Sequence, residues 1–275
     1  MKKFYLTKFK FGKWTLELIS LMNQVEYEIM NKFEENHSWY IGLRGYLSAV
    51  FSKYAELIPQ KPVVLDVGCG TGANLRHMNN FFNNGNFSGF DMNSSSIKYS
   101  KSKNPDARIY ESNINNPKLS DQKYDLITIL DVLYTTGFEN TVNGLVKITN
   151  NLKPGGLLIL NDPAFQWLYG EHDRAVHTIR RYTKKDMIKI CRLLGLKPLT
   201  ISYRNFFLFP LVVLHRIKSK IFMPKKTEDC RSDVRINSLM VNSFLTNIMK
   251  LENGGAKLGI NYPWGSSVSL VAQKL

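Results

Sequence analysis

Residues 63–72, reading VVLDVGCGTG, limit what this chain can fold into more than any other stretch. Val63, Val64, Leu65 and Val67 form a short β-branched apolar run of the kind buried on both faces of a parallel sheet, and Pro62 precedes it, where a missing N–H does least harm. Gly68, Gly70 and Gly72 follow at alternate positions. Glycines there let the backbone turn sharply and approach a ligand closely, and residues 73–82 are predicted to form a helix whose N-terminal N–H groups face the same ligand. The pattern therefore predicts a strand, a ligand-binding turn and a helix, the opening unit of a doubly wound α/β fold.

Later segments repeat the strand signal. Strands are expected at 87–91, 107–110, 124–130, 157–160, 197–203 and 265–273. Asp91 lies about 20 residues beyond the glycine turn, the spacing of a carboxylate that accepts ribose hydroxyls. Thr183, with Asp186 three residues on, reads as a helix N-cap. Before the turn, Trp14, Leu18, Leu21, Val25 and Ile29 recur at helical spacing, and a second apolar-periodic segment through Tyr46, Leu47, Val50, Phe51 and Leu57 is closed by Pro59. More than 50 residues separate the last two expected strands, too many for a bare loop. They hold an apolar run at 205–214, a basic cluster from Arg216 to Lys226 and an apolar-periodic helix through Ile236, Leu239, Met240, Phe244, Ile248 and Leu251 that Gly254 and Gly255 are expected to end.

Gly68, Gly70 and Ala73 also satisfy the dinucleotide-binding pattern. Asp66 two residues before the first glycine, the third glycine at Gly72, and the later block LKPGG point elsewhere. A carboxylate at Asp66 suits a cationic ammonium group better than a pyrophosphate. With these motifs the chain resembles the class I S-adenosylmethionine (SAM) dependent methyltransferases, over about residues 35–215 plus the last strand. The resemblance implies a Rossmann-like, doubly wound α/β fold: a seven-stranded, mostly parallel sheet with an antiparallel last strand. The expected divisions are an N-terminal helical cover at 1–58, a SAM-binding core at 59–203, a helical and apolar insertion at 204–262 that forms a lid or acceptor wall or packs on the sheet edge, and a closing strand at 263–275.

The resemblance further implies SAM as cofactor, with S-adenosyl-L-homocysteine as product. Asp66, Gly68, Gly70 and Gly72 would cradle the methionine moiety together with the backbone at Leu130 and Asp131, Asp91 would hold the ribose, and Met92, Asn113 and Ile114 the adenine. Tyr40 and Arg44 are candidates for the SAM carboxylate. The block GEHDRAVHTIRRYT at 170–183 resembles the H-D and H-x-x-R-R-Y signatures of one methyltransferase subgroup. There His177 is the candidate base, with His172 and Tyr134 beside it, and Arg180 or Arg181 would hold an anionic acceptor group. The same arginines are equally suited to pair with Glu171, Asp173 or helix carboxylates. His172 and His177 do not share a helix face, and no third ligand has a metal spacing, so no metal is expected.

The charge is +15, from 37 Lys and Arg against 22 Asp and Glu, which favours an anionic partner. Lys2, Lys3, Lys8, Lys10 and Lys13 crowd one cluster, and Arg216, Lys218, Lys220, Lys225 and Lys226 the other. Three cysteines, Cys69, Cys191 and Cys230, give no disulfide framework. The N-terminus lacks the apolar core of a signal peptide, and no segment has the length of a membrane span, so a cytoplasmic protein, peripheral to the membrane at most, is expected. The expected acceptor is a small molecule, peptide or lipid-linked compound with apolar and anionic parts. Three other readings stay open at this level: an RNA methyltransferase, favoured by charge but lacking an Asn-Pro-Pro-aromatic motif; a membrane-associated protein that binds SAM without turnover; and a nicotinamide oxidoreductase.

Overall fold

The structure, a computed structural model, describes residues 27–222 and 238–275. Trp14, Leu18, Leu21, Val25 and Ile236, the lysines before residue 14, Lys225, Lys226 and Cys230 lie outside the described residues.

Seven strands form one sheet: β1 (Val63–Val67), β2 (Asn86–Asp91), β3 (Arg108–Glu111), β4 (Tyr124–Leu130), β5 (Leu152–Pro163), β6 (Leu196–Arg204) and β7 (Ser267–Lys274). Their spatial order is β3-β2-β1-β4-β5-β7-β6. The first five run parallel, while β7 is antiparallel to both β5 and β6. The chain direction across the sheet therefore reverses between β1 and β4, and a crevice opens there at the carboxyl ends of the strands.

Side-chain alternation assigns the helices to two layers. Val64, Leu126, Leu157 and Ile159 point to one face, where they meet Leu47, Val50 and Phe51 of α1 (Ser38–Lys53) and Leu75 and Met78 of α2 (Ala73–Phe82). Ile97 of α3 (Ser94–Lys103) joins this layer. Leu65, Ile127, Leu158 and Leu160 point the other way, into a core with α4 (Leu133–Thr136), α5 (Phe138–Asn150) and α7 (Lys184–Leu193). Each large side chain so buried contributes about 1.5–3 kcal/mol. A short α6 (Glu171–Ala175) lies between β5 and α7. Thr183 and Asp186 form the expected capping box at the start of α7.

Between β6 and β7 stand α8 (Phe209–Phe222) and α9 (Leu239–Lys257). The apolar run at 205–214 divides: residues 206–208 turn, and the rest begins α8, with Pro210 in the first turn where a missing N–H is harmless. Gly254 and Gly255 do not end the following helix, which continues to Lys257. A Cβ on Gly255 would collide with the Tyr262 hydroxyl, so this glycine serves close packing rather than termination. The fifth strand, expected at 157–160, begins already at Leu152 and continues to Pro163 because β7 pairs with it that far. α9 is tied back to α1: Asn253 Nδ2 donates to Gly42 O at 3.0 Å, and Ser38 N donates to Asn242 Oδ1 at 2.8 Å.

Candidate active site

A cavity of about 470 Å³ occupies the crevice. Its floor is made by strand ends and the turns that follow them. The glycine turn is tied to the neighbouring strand, since the N–H groups of Gly68 and Cys69 both donate to Phe90 O, at 2.8 and 2.9 Å. Gly68, Gly70 and Gly72 all have positive φ, at 70°, 52° and 91°. Their uses differ. A Cβ on Gly70 would stand in the cavity, with only Met30 Sδ within contact at 3.6 Å, so the missing side chain leaves a cradle for a ligand. A Cβ on Gly72 would sit 2.8 Å from Ser100 Cα, so this residue packs α2 against α3 and is not part of the cavity wall. Thr71, inside the turn, lines the cavity with a buried Oγ1 that has no hydrogen-bond partner among the described residues.

At the end of β2, Asp91 Oδ2 accepts from Gly70 N at 3.0 Å and Oδ1 from Asn93 N at 2.9 Å. The turn thus delivers its carboxylate to the cavity in a fixed orientation. Burial pushes its pKa up, opposed by these N–H donors. Met92, Ile114, Leu130 and Asp131 also line the cavity, as do Tyr40 and the neighbouring Trp39 of α1.

Other expected cofactor ligands are displaced from the wall. Asp66 shares a strand face with Val64 and so points into the α1–α2 layer; it is 2% exposed, and its Oδ1 accepts from Thr128 Oγ1 at 2.6 Å. Burial, with the Asp91 carboxylate adding, pushes its pKa from 3.8 to about 7. A group so placed shapes the turn from below and does not meet an ammonium directly. Arg44 is buried behind the wall, donating to Glu35 O at 3.0 Å. Asn113 is exposed and bonded to Asn115 N; its neighbours Ser112 and Ile114 line the cavity instead.

On the far side of β4 the wall is formed by Tyr134, Thr135, Pro163, His172, Asp173 and Arg181, among others. His177, the expected base, is not brought there: it is exposed, with φ of 55°, after α6 has ended. Arg180 also lies outside the lining, in ion pairs with Glu139 and with Asp186 at 2.6 Å. Arg181 is buried in the wall. Its Nη1 donates to Asp173 Oδ1 at 3.1 Å and Oδ2 at 3.0 Å, and its Nε donates to Ala164 O at 2.9 Å. Tyr134 is held by backbone contacts at both ends of its peptide, its N–H donating to Asp162 and its carbonyl accepting from Ile179 N. Burial raises its hydroxyl pKa well above the ordinary value, so it remains a phenol and a donor.

Among the wall residues that sequence reasoning did not single out are Tyr27, Val212 and Arg216, the last two within the insertion. Tyr27 lines the cavity close to Asp91; burial, with the Asp91 charge adding, raises the Tyr27 hydroxyl pKa. Val212 and Arg216, four apart on α8, reach the wall beyond β5. The i, i+4 spacing of an apolar and a cationic residue was visible, but nothing local says which face of α8 meets the sheet. Among the described residues no group of three or more His, Cys, Asp or Glu is placed to hold a metal ion, and no helix is long and apolar enough to cross a membrane.

A cavity over the β1/β4 switch point of a 3-2-1-4-5-7-6 sheet, with a glycine cradle and a ribose-spaced carboxylate, defines the class of SAM-dependent class I methyltransferases. Comparison with known proteins agrees. Residues 60–199 match the family described as a methyltransferase domain, and the chain belongs to that family. It is 23% identical over 149 residues to the dTDP-3-amino-3,4,6-trideoxy-alpha-D-glucopyranose N,N-dimethyltransferase of Streptomyces venezuelae, covering 52% of this chain and 62% of that protein. The chain matches less than two thirds of the length of its curated relatives. Among solved structures, a SAM-dependent methyltransferase from Clostridium acetobutylicum superposes with a TM-score of 0.52 at 13% identity, covering 84% of this chain and 91% of that one. Coclaurine N-methyltransferase superposes with a TM-score of 0.51 at 14% identity, covering 82% and 71%.

Proposed function

We propose that this enzyme transfers a methyl group from SAM to an O or N nucleophile of a small or medium-sized acceptor with apolar and anionic parts: a secondary metabolite, a peptide terminus or a lipid-linked intermediate. The observation that carries the reading is that one cavity runs without interruption from Asp91 to Arg181. Both reactants therefore meet over the carboxyl ends of β1 and β4.

In this reading Asp91 accepts hydrogen bonds from the ribose, Met92 and Ile114 flank the adenine, and the Gly68–Gly70 backbone with Leu130 and Asp131 contains the methionine part. Thr71 offers its buried hydroxyl to the same ligand. Asp66, Gly72 and Arg44 keep the cradle in shape without touching it. SAM, when bound, supplies a methyl group already activated by the positive sulfur, for in-line displacement. The chain's task is alignment, worth about 7–11 kcal/mol in favourable cases, and removal of the acceptor's proton. Asp131 and His172 face the space where that proton leaves. Burial pushes the Asp131 carboxyl to about 6, a value suited to taking up a proton near neutrality.

The name of the Streptomyces relative favours nitrogen as the first acceptor to screen. The side of α8 turned away from Val212 and Arg216 carries Leu211, Leu214 and Ile217, each about half exposed or more, which favours a lipid-linked acceptor. The test is calorimetric titration with SAM of wild type and Asp91→Asn, whose amide keeps one oxygen for the N–H groups of Gly70 and Asn93 and loses the other. Binding at least tenfold weaker in the variant is expected, from the loss of one or more hydrogen bonds to a charged acceptor. Equal binding would remove Asp91 from the cofactor site. No SAM binding by folded wild type would overturn the whole reading.

A further inference from the structure

We propose that the outward faces of α8 and α9 dock on an anionic membrane surface. This contact goes beyond the methyl transfer proposed above and does not depend on it.

Apolar side chains left in water are concentrated in one part of the chain. Of the 21 large hydrophobic residues that stand exposed among the described residues, twelve lie between Phe207 and Trp264. Single exposed residues are ordinary, whereas a cluster marks a surface that meets something apolar. On α8 the helical turn sorts them. Val212 and Arg216 reach the cavity wall, and Leu214, 63% exposed, stands on the opposite side with Leu211 and Ile217 beside it. α9 is sorted in the same way. Asn242, Thr246, Met249 and Asn253 recur at helical spacing on the face turned to α1, where Asn242 accepts from Ser38 N and Asn253 donates to Gly42 O. Met240, Phe244 and Leu251 fall on the reverse face, 85%, 62% and 69% exposed. The two helices are also joined: Glu252 Oε1 accepts from Asn205 N at 2.6 Å and Oε2 from Phe207 N at 3.4 Å, so the chain entering α8 is anchored on α9.

Charge decides what this surface fits. Glu252 is the only acidic residue within α8 and α9, and it is 5% exposed. Lys218 on α8, and Lys250 and Lys257 on α9, are exposed beside the apolar residues. A two-fold contact with a second copy through the same face would bring these lysines together, with no exposed acid on either helix to offset them. Anionic lipid supplies the missing charge to the lysines and hydrocarbon to the apolar side chains, the combination by which interfacial helices bind. The contact is peripheral, since no helix among the described residues is long and apolar enough to cross a membrane. It sets the Val212 wall of the cavity about 10 Å, one helix diameter, from the lipid.

The test is flotation of the full chain with vesicles of phosphatidylcholine alone and of phosphatidylcholine with about one third phosphatidylglycerol, at low and at raised salt. Binding about tenfold or more tighter to the anionic vesicles is expected, weakening with salt. Leu211→Ser with Leu214→Ser, and Met240→Ser with Phe244→Ser, should each weaken it about fivefold or more, and Lys218→Gln with Lys250→Gln about tenfold or more. All six positions are exposed, so these variants should keep the wild-type circular dichroism and unfolding midpoint. No binding to the anionic vesicles, or unchanged binding in either serine pair, overturns the proposal. So does a dimer in sedimentation velocity without lipid that the serine pairs dissolve, which gives the face to a second copy. Anionic-vesicle binding by a protein that does not bind SAM leaves the docking face standing and removes the methyltransferase reading instead.

Discussion

Asp66→Asn is expected to stabilise the protein above neutral pH and to flatten its stability profile below it. The Asp66 carboxyl is 2% exposed, and its hydrogen bond from Thr128 does not offset the loss of hydration. Its pKa therefore rises from 3.8 to about 7 on folding. Between those values the folded chain holds a proton that the unfolded chain has released, so stability falls as pH rises, by about 1.4 kcal/mol per pH unit for one proton. The contribution is fully present below pH 3.8 and is lost once pH has passed about 7. Over this interval the loss amounts to about 4 kcal/mol, an order-of-magnitude figure large beside a typical folding free energy of about 5–15 kcal/mol. Asparagine keeps the shape and still accepts from Thr128 without charging. Urea unfolding of both proteins at pH 5, 6, 7 and 8 measures the difference, in which other titrating groups cancel. The difference should grow with pH in favour of Asp66→Asn and level off above about 7. Parallel profiles, or a variant less stable at pH 8, would refute the argument that burial dominates at Asp66.

Two further outcomes bear on the far wall. Arg181→Met should cost about 3–5 kcal/mol in urea unfolding, because Asp173 is left buried without its partner, and adding Asp173→Asn should recover much of that loss. His177→Gly should leave SAM affinity unchanged and raise stability by about 0.5–1 kcal/mol, since an exposed L-residue is relieved of a left-handed backbone; a lower stability would mean that the imidazole makes contacts of value.

The parts of the site legible in the sequence are those in which a backbone requirement fixes a residue type. Gly68, Gly70 and Asp91 belong to one strand–turn–helix–strand unit, and their spacing sets their positions relative to one another. Direction was harder to read than position. Asp66 lies in the same ten-residue motif as Gly70, yet strand alternation turns it into the helix layer, and the sheet face it meets depends on where α1 and α2 pack. The basic block at 170–183 was recognisable as unusual, but its polar residues separate by a turn of chain. Asp173 and Arg181 go inward as a pair, whereas His177 and Arg180 remain outside because α6 ends at Ala175. Tyr27 and Arg216 reach the cavity through long-range packing that no local pattern encodes. Gly255 shows the same limit: its helix-breaking tendency is overridden by contact with Tyr262, from beyond the helix.

The position of β7 has a consequence for the order in which the molecule can assemble. This strand sits between β5 and β6, and β6 touches the sheet only through it. A chain emerging from the ribosome has finished β6 at Arg204 well before Ser267 appears, an interval on the order of 3–13 s at about 5–20 residues per second. Throughout it β5 and β6 each present an open edge to any passing strand, the condition that favours intermolecular pairing. Nascent-chain aggregation should therefore concentrate in this window, and a chain broken off before residue 267 should remain trapped in it.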